Sequence, residues 1–178
     1  MTIRDFIYQI PKAELHLHIE GSFEPELMFE IAKRNQINIK FKSVEEVKAA
    51  CEFNNLQEFL DIYYEGASVL IHERDFYDMT WAYLERIHAE NVLHTEIFYD
   101  PQTHTERGID FDVALNGIYK AMKDGEKKFG ISFKIIMCFL RHLDENSAMQ
   151  TLESALNHKD KIIGVGLDSG ELGNPPSK

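Results

Sequence analysis

The chain has 178 residues and a formal net charge of −11, with 44% hydrophobic and 28% charged residues, which is typical of a globular domain with a real core. The acidic balance argues against a nucleic acid partner and against an anionic membrane surface, because binding a polyanion requires cations that neutralise it. Cys51 and Cys138 form no C-x-x-C pair, which argues against a thiolate zinc site and fits a reducing compartment. The N-terminal segment has no long apolar core, so we expect neither a secretory signal nor a membrane span and predict a cytoplasmic protein.

The N-terminal part of the chain predicts a strand between two helices. Thr2 to Ile10 reads as a short helix that ends before Pro11, because the residue before a proline disfavours the helical conformation. The stretch A-E-L-H-L-H-I-E-G-S follows, and its alternation of apolar and polar residues predicts a strand from about Glu14 to Ile19. Pro25 suits the first turn of the next helix.

The segment from about 43 to 90 predicts an all-helical insert between the first two strands. Ser43 is a candidate N-cap, and Glu46 three residues later completes a capping-box pattern. Two further helices, at 56–71 and 74–90, are rich in aromatic residues. We interpret these aromatic residues as core, with a lid over a flat apolar ligand as the alternative.

Strands and helices alternate over the rest of the chain. The predicted elements are a strand at 92–99, a polar loop at 102–108, a helix at 111–129 ended by Gly130, a strand at 131–140, a helix at 144–157 and a strand at 162–168, with no element at 169–178. Strands separated by helices indicate a parallel sheet with right-handed crossovers. The apolar runs in the last two strands predict a sheet covered on both faces.

His16 and His18 are the candidate metal ligands. Residues i and i+2 of a strand point to the same face, and two neutral imidazoles at that spacing can hold a borderline-soft metal ion such as zinc. The alternative is a half-exposed strand that carries two histidines by chance. Ligands of parallel α/β folds bind where the strands end, and all four predicted strands end in polar residues, which favours a metalloenzyme.

Four motifs then carry a resemblance to a known family. They are P-K-A-E-L-H-L-H-I-E-G-S at 11–22, E-I-F-Y-D-P-Q-T-H-T-E-R-G at 96–108, F-L-R-H-L at 139–143 and G-V-G-L-D-S-G-E at 164–171. In this order they resemble the adenosine and adenine deaminases, which are metal-dependent hydrolases on a (β/α)8 barrel. The resemblance covers essentially the whole chain, and the second motif and the tail G-N-P-P-S-K are more similar to the adenine deaminase branch.

The resemblance implies zinc-dependent hydrolytic deamination of a small purine, adenine to hypoxanthine plus ammonia. It implies that His16 and His18 are zinc ligands and that His18, Glu20 and Gly170 bind the substrate. Glu20 would line the sugar side of the pocket, where a glutamate leaves less room for ribose than the aspartate of adenosine deaminases. Gly170 would present its backbone N–H to a purine ring nitrogen.

The resemblance also implies a chain about twice as long, because a complete barrel has eight βα units and we count four over residues 1–178. We therefore expect the other ligands and all catalytic groups downstream of Lys178, and we expect this N-terminal half to be inactive alone. Its open strand edges predict self-association or pairing with the C-terminal half. The alternatives are an adenosine or N6-methyladenine-type deaminase of the same superfamily, or a non-catalytic half-barrel that binds a partner.

Overall fold

A parallel sheet of four strands organises the protein, whose computed structural model describes residues 1–177. The strands are β1 (Lys12–His18), β2 (Val92–Tyr99), β3 (Ser132–Leu140) and β4 (Ile162–Asp168). They lie side by side in the order β1-β2-β3-β4, and every neighbouring pair is parallel. Each of the first three strands is therefore followed by helices and then by the strand that pairs with it, as in successive βα units of a barrel.

Eight helices connect or precede these strands within the described residues. They are α1 (Ile3–Gln9), α2 (Pro25–Arg34), α3 (Val44–Ala50), α4 (Leu56–Ala67), α5 (Glu73–Ala89), α6 (Pro101–Thr105), α7 (Phe111–Phe129) and α8 (Glu145–Ala155). Short 3-10 turns follow β1 at Ile19–Ser22 and α8 at Leu156–His158. Among the described residues, no helix is both long and apolar enough to span a membrane.

The predicted polar loop at 102–108 is wrong in its first half, where the structure has α6. Pro101 occupies the first turn of this short helix, and Gln102, Thr103 and His104 are buried. Gln102 and His104 are polar yet buried because their side chains have hydrogen-bond partners, whereas Thr103 Oγ1 has none among the described residues. The Gln102 side chain accepts a hydrogen bond from the Leu140 N–H at 2.8 Å and donates one to Ser147 Oγ at 2.7 Å.

Several predicted boundaries shift for identifiable reasons. Ile19 lies outside β1 because the chain enters a 3-10 turn there. Ser43 does cap α3 by accepting from the Glu46 N–H, but the Glu46 carboxylate accepts from the Lys42 N–H, so the reciprocal bond of a capping box is not made. The predicted helix at 56–71 ends earlier, as α4.

The core lies between the sheet and the helices, and α5 packs closely on α7. Gly117 of α7 permits this approach, because a Cβ at that position would lie 2.3 Å from the Glu73 carbonyl oxygen. The expectation that both faces of the last strand are covered is wrong for the described residues. Ile163, Val165 and Leu167 of β4 are exposed because none of the described helices covers that face of the strand.

Asp75 fastens the start of α5 to α2. Its Oδ2 accepts hydrogen bonds from the backbone N–H groups of Ile71 and His72 at 2.9 and 2.8 Å and from Asn35 Nδ2 at 2.6 Å, while Oδ1 pairs with Arg34. Burial would raise the pKa of this carboxyl, but the backbone and side-chain donors outweigh burial and lower the pKa. The ionised carboxylate is therefore part of the folded structure.

We expect Asp75→Asn to lower the free energy of unfolding at neutral pH by about 2–3 kcal/mol, because it leaves buried donors without an anionic partner. Asp78→Asn is the matched control, since Asp78 also pairs with Arg34 but is more exposed, and it should cost at most about 1 kcal/mol. The folded-state pKa of Asp75 lies below the unfolded value, so its contribution is present above about pH 4 and is lost as the pH falls further. Urea unfolding across this pH range measures both effects, and equal losses for the two variants at neutral pH would contradict the assignment.

Candidate metal and substrate site

Two imidazoles from β1 lie side by side on one face of the sheet. The ring centroids of His16 and His18 are 5.6 Å apart, as the strand spacing predicts. Phe98 of β2 stacks on both rings, with centroid distances of 4.6 Å to His16 and 5.1 Å to His18. Packing against one aromatic ring restricts how the two imidazoles can rotate.

Two carboxylates from other strand ends approach His18. Its Nδ1 lies 3.0 Å from Asp168 Oδ2 at the end of β4 and 3.8 Å from Asp100 Oδ1, just after β2. A histidine that donates its Nδ1 proton to a carboxylate presents its Nε2 lone pair to a metal ion. Asp168 at the end of β4 therefore orients the His18 side chain of β1.

Burial and pairing shift the pKa values of these groups in opposite directions. Burial alone would lower the pKa of His18, but the nearby carboxylates of Asp100 and Asp168 raise it to about 10. Burial raises the pKa of Asp168 to about 7, whereas the neighbouring His18 and the Tyr63 hydroxyl outweigh burial and keep the pKa of the more deeply buried Asp100 low. A metal ion that binds His18 at neutral pH must therefore displace a proton.

The same place can hold a cation. His18, Asp100, Cys138 and Asp168 each offer one ligand atom, and all four atoms lie within 4.8 Å of one another. The buried oxygens Asp100 Oδ1 and Asp168 Oδ1 have no hydrogen-bond partner among the described residues, which is costly unless a cation or solvent completes them. Nitrogen and carboxylate donors fit zinc, whereas burial raises the pKa of the Cys138 thiol and disfavours its thiolate.

Glu20 is buried in a network of hydrogen bonds. Its Oε1 accepts from the Asp100 N–H at 3.1 Å and lies 3.0 Å from His104 Nε2, and its Oε2 accepts from the Tyr63 hydroxyl at 3.2 Å. The same hydroxyl lies 2.5 Å from Asp100 Oδ2, so it bridges two carboxylates. All of these partners are protein groups.

Arg107 extends this network to the end of α4. One of its Nη atoms lies 3.0 Å from His104 Nδ1, so the His104 ring links Arg107 to Glu20. The guanidinium also donates to the carbonyl oxygens of Ala67, Ser68 and Leu70. These carbonyls include those that a helix C-terminus leaves without a partner.

The residues predicted to bind substrate line three different cavities. His18 lines an inner cavity of about 230 Å³ together with Asp100, Asp168 and aromatic side chains of α4. Gly170 lines a larger outer cavity of about 620 Å³. Glu20 lines a third cavity of about 240 Å³ beside Phe23. The structure thus brings His16 and His18 together but does not bring Glu20 or Gly170 into the inner cavity.

Sequence reasoning missed the roles of Tyr63 and Tyr64. Both belong to the aromatic residues interpreted as core, yet the Tyr63 hydroxyl bridges carboxylates and Tyr64 lines the inner and outer cavities. Their hydroxyls were the available signal, because a phenol in an apolar cluster needs a polar partner. Residues of α4 line the inner cavity, and the alternative interpretation of the aromatic residues as a lid stays a prediction.

Comparisons with known proteins identify the family. The family model described as "Adenosine deaminase" matches residues 11–178. The chain is 65% identical over 173 residues to the adenine deaminase of Vibrio parahaemolyticus and 61% identical over 176 residues to that of Hahella chejuensis. These alignments cover 97% and 99% of this chain but 51% and 53% of the relatives, so the chain spans about half the length of the curated relatives it matches.

Solved structures agree with this match. The crystal structure of adenine deaminase from Arthrobacter aurescens superposes with a TM-score of 0.90 at 49% identity, covering 94% of this chain and 51% of that chain. An amidohydrolase from Burkholderia ambifaria with bound Zn superposes with a TM-score of 0.88 at 26% identity, covering 99% of this chain and 50% of that chain. The predicted fold class, the first four βα units of a (β/α)8 barrel, is confirmed. The chain belongs to the adenosine deaminase family.

Proposed function

We propose that the protein deaminates adenine hydrolytically to hypoxanthine and ammonia, using one zinc ion per complete active site. The observation that carries the proposal is the His16–His18 pair, with His18 Nδ1 held by Asp168 at the wall of a small aromatic cavity. The adenine deaminases among its relatives favour adenine as the substrate, and the zinc in the Burkholderia ambifaria amidohydrolase favours that metal.

His16 and His18 are the proposed metal ligands in this chain. Zinc supplies a Lewis acid that makes hydroxide available near neutral pH. Asp168 positions His18, and Phe98 restricts the rotation of both rings. Two imidazoles leave half of a tetrahedral shell to other groups, so our proposal retains the prediction that the further ligands and the proton-transferring residues lie downstream of Lys178.

The inner cavity suits a flat heterocycle. Phe59, Tyr63 and Tyr64 supply aromatic surface to its lining, and the carboxylates of Asp100 and Asp168 supply hydrogen-bond acceptors. An apolar pocket with a few convergent polar groups is the usual form of a small-molecule site. We propose that His18 borders the bound base, and we retain Glu20 and Gly170 as predicted substrate contacts.

The proposal also includes the domain organisation, the binding partners and the location of the protein. Residues 1–178 form one unit, the N-terminal half of a deaminase barrel with a helical insert at about 43–90. Its outer strands, β1 and β4, carry exposed apolar side chains that include Leu15 and Val165, which supports pairing with a C-terminal half or with a second copy. The proposed setting is purine metabolism in the cytoplasm, with a small purine as ligand and neither nucleic acid nor membrane as partner.

The test is ammonia release from adenine, adenosine and N6-methyladenine by the zinc-loaded protein at the length in which its cells make it. We expect the highest kcat/KM for adenine. Turnover of adenosine or N6-methyladenine in preference to adenine would replace the proposed substrate. Loss of all turnover with zinc bound would favour a non-catalytic role.

His16→Ala and His18→Ala should each weaken zinc binding by about 100-fold or more, since losing a ligand costs at least as much as losing a group that orients one. His94→Ala is the matched control, because His94 is a half-buried strand histidine that pairs with Glu96 and Ser132 instead. Chelator competition with zinc measures the affinities without an activity assay. Equal zinc affinity for all three variants would rule out the ligand assignment.

Glu20→Asp separates a structural role for Glu20 from a substrate contact. Shortening the side chain withdraws the carboxylate from Asp100 N and His104, so we expect a loss of about 2–3 kcal/mol in the free energy of unfolding. Glu14→Asp is the control, since Glu14 accepts one bond from Tyr83 in a less buried place, and should cost about 1 kcal/mol or less. A raised KM for adenine with unchanged stability would instead support the predicted contact of Glu20 with substrate.

A further inference from the structure

The inner cavity and the outer cavity adjoin along a shared set of lining residues, which we call the wall. Leu56, Leu60, Tyr64 and Ser169 line both spaces. The inner cavity is lined by His18, Asp100 and Asp168, whereas the outer cavity is lined by Gly170, by amide side chains that include Asn55 and Gln57, and by one carboxylate, Glu171. Moving these shared residues apart would join the inner and outer cavities.

Two hydrogen bonds link three polar side chains at this wall. The hydroxyl oxygens of Tyr64 and Ser169 are 2.8 Å apart, and Ser169 Oγ lies 2.8 Å from His142 Nδ1. A serine hydroxyl can accept one hydrogen bond and donate another, so both contacts are made at once. The chain of bonds ties α4 to residues that follow β3 and β4.

Ser169 occupies this position in a left-handed backbone conformation, with φ of 74°. Gln36 and Asn91 also have positive φ among the described residues, but they directly follow the C-caps of α2 and α5, where such a conformation is common. Ser169 instead follows a strand. Glycine would adopt this conformation more easily, and the serine that stands here instead places its hydroxyl between Tyr64 and His142.

The volumes and lining residues of the two cavities indicate which part of a ligand each could hold. The described residues bound about 230 Å³ in the inner cavity and about 620 Å³ in the outer cavity, so the inner cavity is the smaller of the two. The outer cavity has room for a substituent on a heterocycle in the inner cavity, and no lysine or arginine is among its described lining residues. Its amide groups suit a sugar better than a phosphate.

We propose that Tyr64, Ser169 and His142 form a hydrogen-bonded partition that restricts the site to a free purine base by closing the inner cavity to the ribose of a nucleoside. The inference rests on the proposed function and assigns the discrimination to these residues. Glu20 is less suited to it, because its carboxylate is already bonded to Asp100 N, Tyr63 and His104 and lines a different cavity.

Two substitutions open the partition with little change in volume or fold. Ser169→Gly removes the hydroxyl and suits the positive φ, and Tyr64→Phe removes the other hydroxyl while retaining the ring. Gln36→Gly is the matched control, because it places glycine at another positive φ, on the surface and away from both cavities. The variants are compared in the zinc-loaded protein at its natural length.

The measurements are kcat/KM for adenine and adenosine, and the inhibition constant of adenosine against adenine turnover. We expect each opening variant to lower the inhibition constant of adenosine about tenfold, the effect of one hydrogen bond, and the double variant to add less than the product of the two. Gln36→Gly should leave it unchanged. An inhibition constant within about twofold of wild type in both variants would overturn the partition.

Different experimental results would refute the proposed function and the proposed partition. Absence of adenine turnover in the wild-type protein would refute the proposed function. Calorimetric titration with adenine and adenosine then decides on the partition by the same tenfold criterion. Wild-type protein that binds adenosine as tightly as adenine would overturn the partition even if adenine is turned over.

Discussion

The 3.0 Å pairing of His18 Nδ1 with Asp168 Oδ2 reveals the curvature on which the site depends. It joins β1 to the end of β4, although two strands lie between them. At the usual strand spacing a flat sheet would hold these strands roughly 14 Å apart. A contact of 3.0 Å across that gap requires the sheet to curl so that the ends of the strands converge. The curl gathers side chains from four strands around one point.

Because the strand ends converge, several carboxylates lie close together, and neighbouring side chains form hydrogen bonds and ion pairs with them. Asp100 and Glu20 are both buried, and the Tyr63 hydroxyl lies between them. His104 contacts Glu20 from the far side, and His18 contacts Asp168. Two carboxylate oxygens still lack a partner among the described residues, which is the condition that a bound cation would relieve.

Residue periodicity predicted the frame of the fold but not the details of the site. The alternation around His16 and His18 was sufficient to place both imidazoles on one face, and the bounds of β2, β4 and α7 are as predicted. The prediction of a polar loop at 102–108 was wrong in its first half because polar side chains can be buried when they have hydrogen-bond partners. Glu20 could not be placed because the strand period ends at the 3-10 turn after His18, where the direction of a side chain no longer follows from its position in the sequence. Long-range partners such as Ser169 and Tyr64 depend on the curl of the sheet, which no local pattern encodes.

Arg107 has a mechanical consequence for α4. It binds the carbonyl oxygens of Ala67, Ser68 and Leu70, so the C-terminal end of α4 is fastened to the same buried network that holds Glu20. The opposite end is different, because residues 51–58 are all exposed. Local opening costs least where few groups are buried, so the exposed end of α4, with Leu56 in the lining of both cavities, is the part of the helix that opens most easily. Arg107 fastens the other end, which packs against the buried carboxylates.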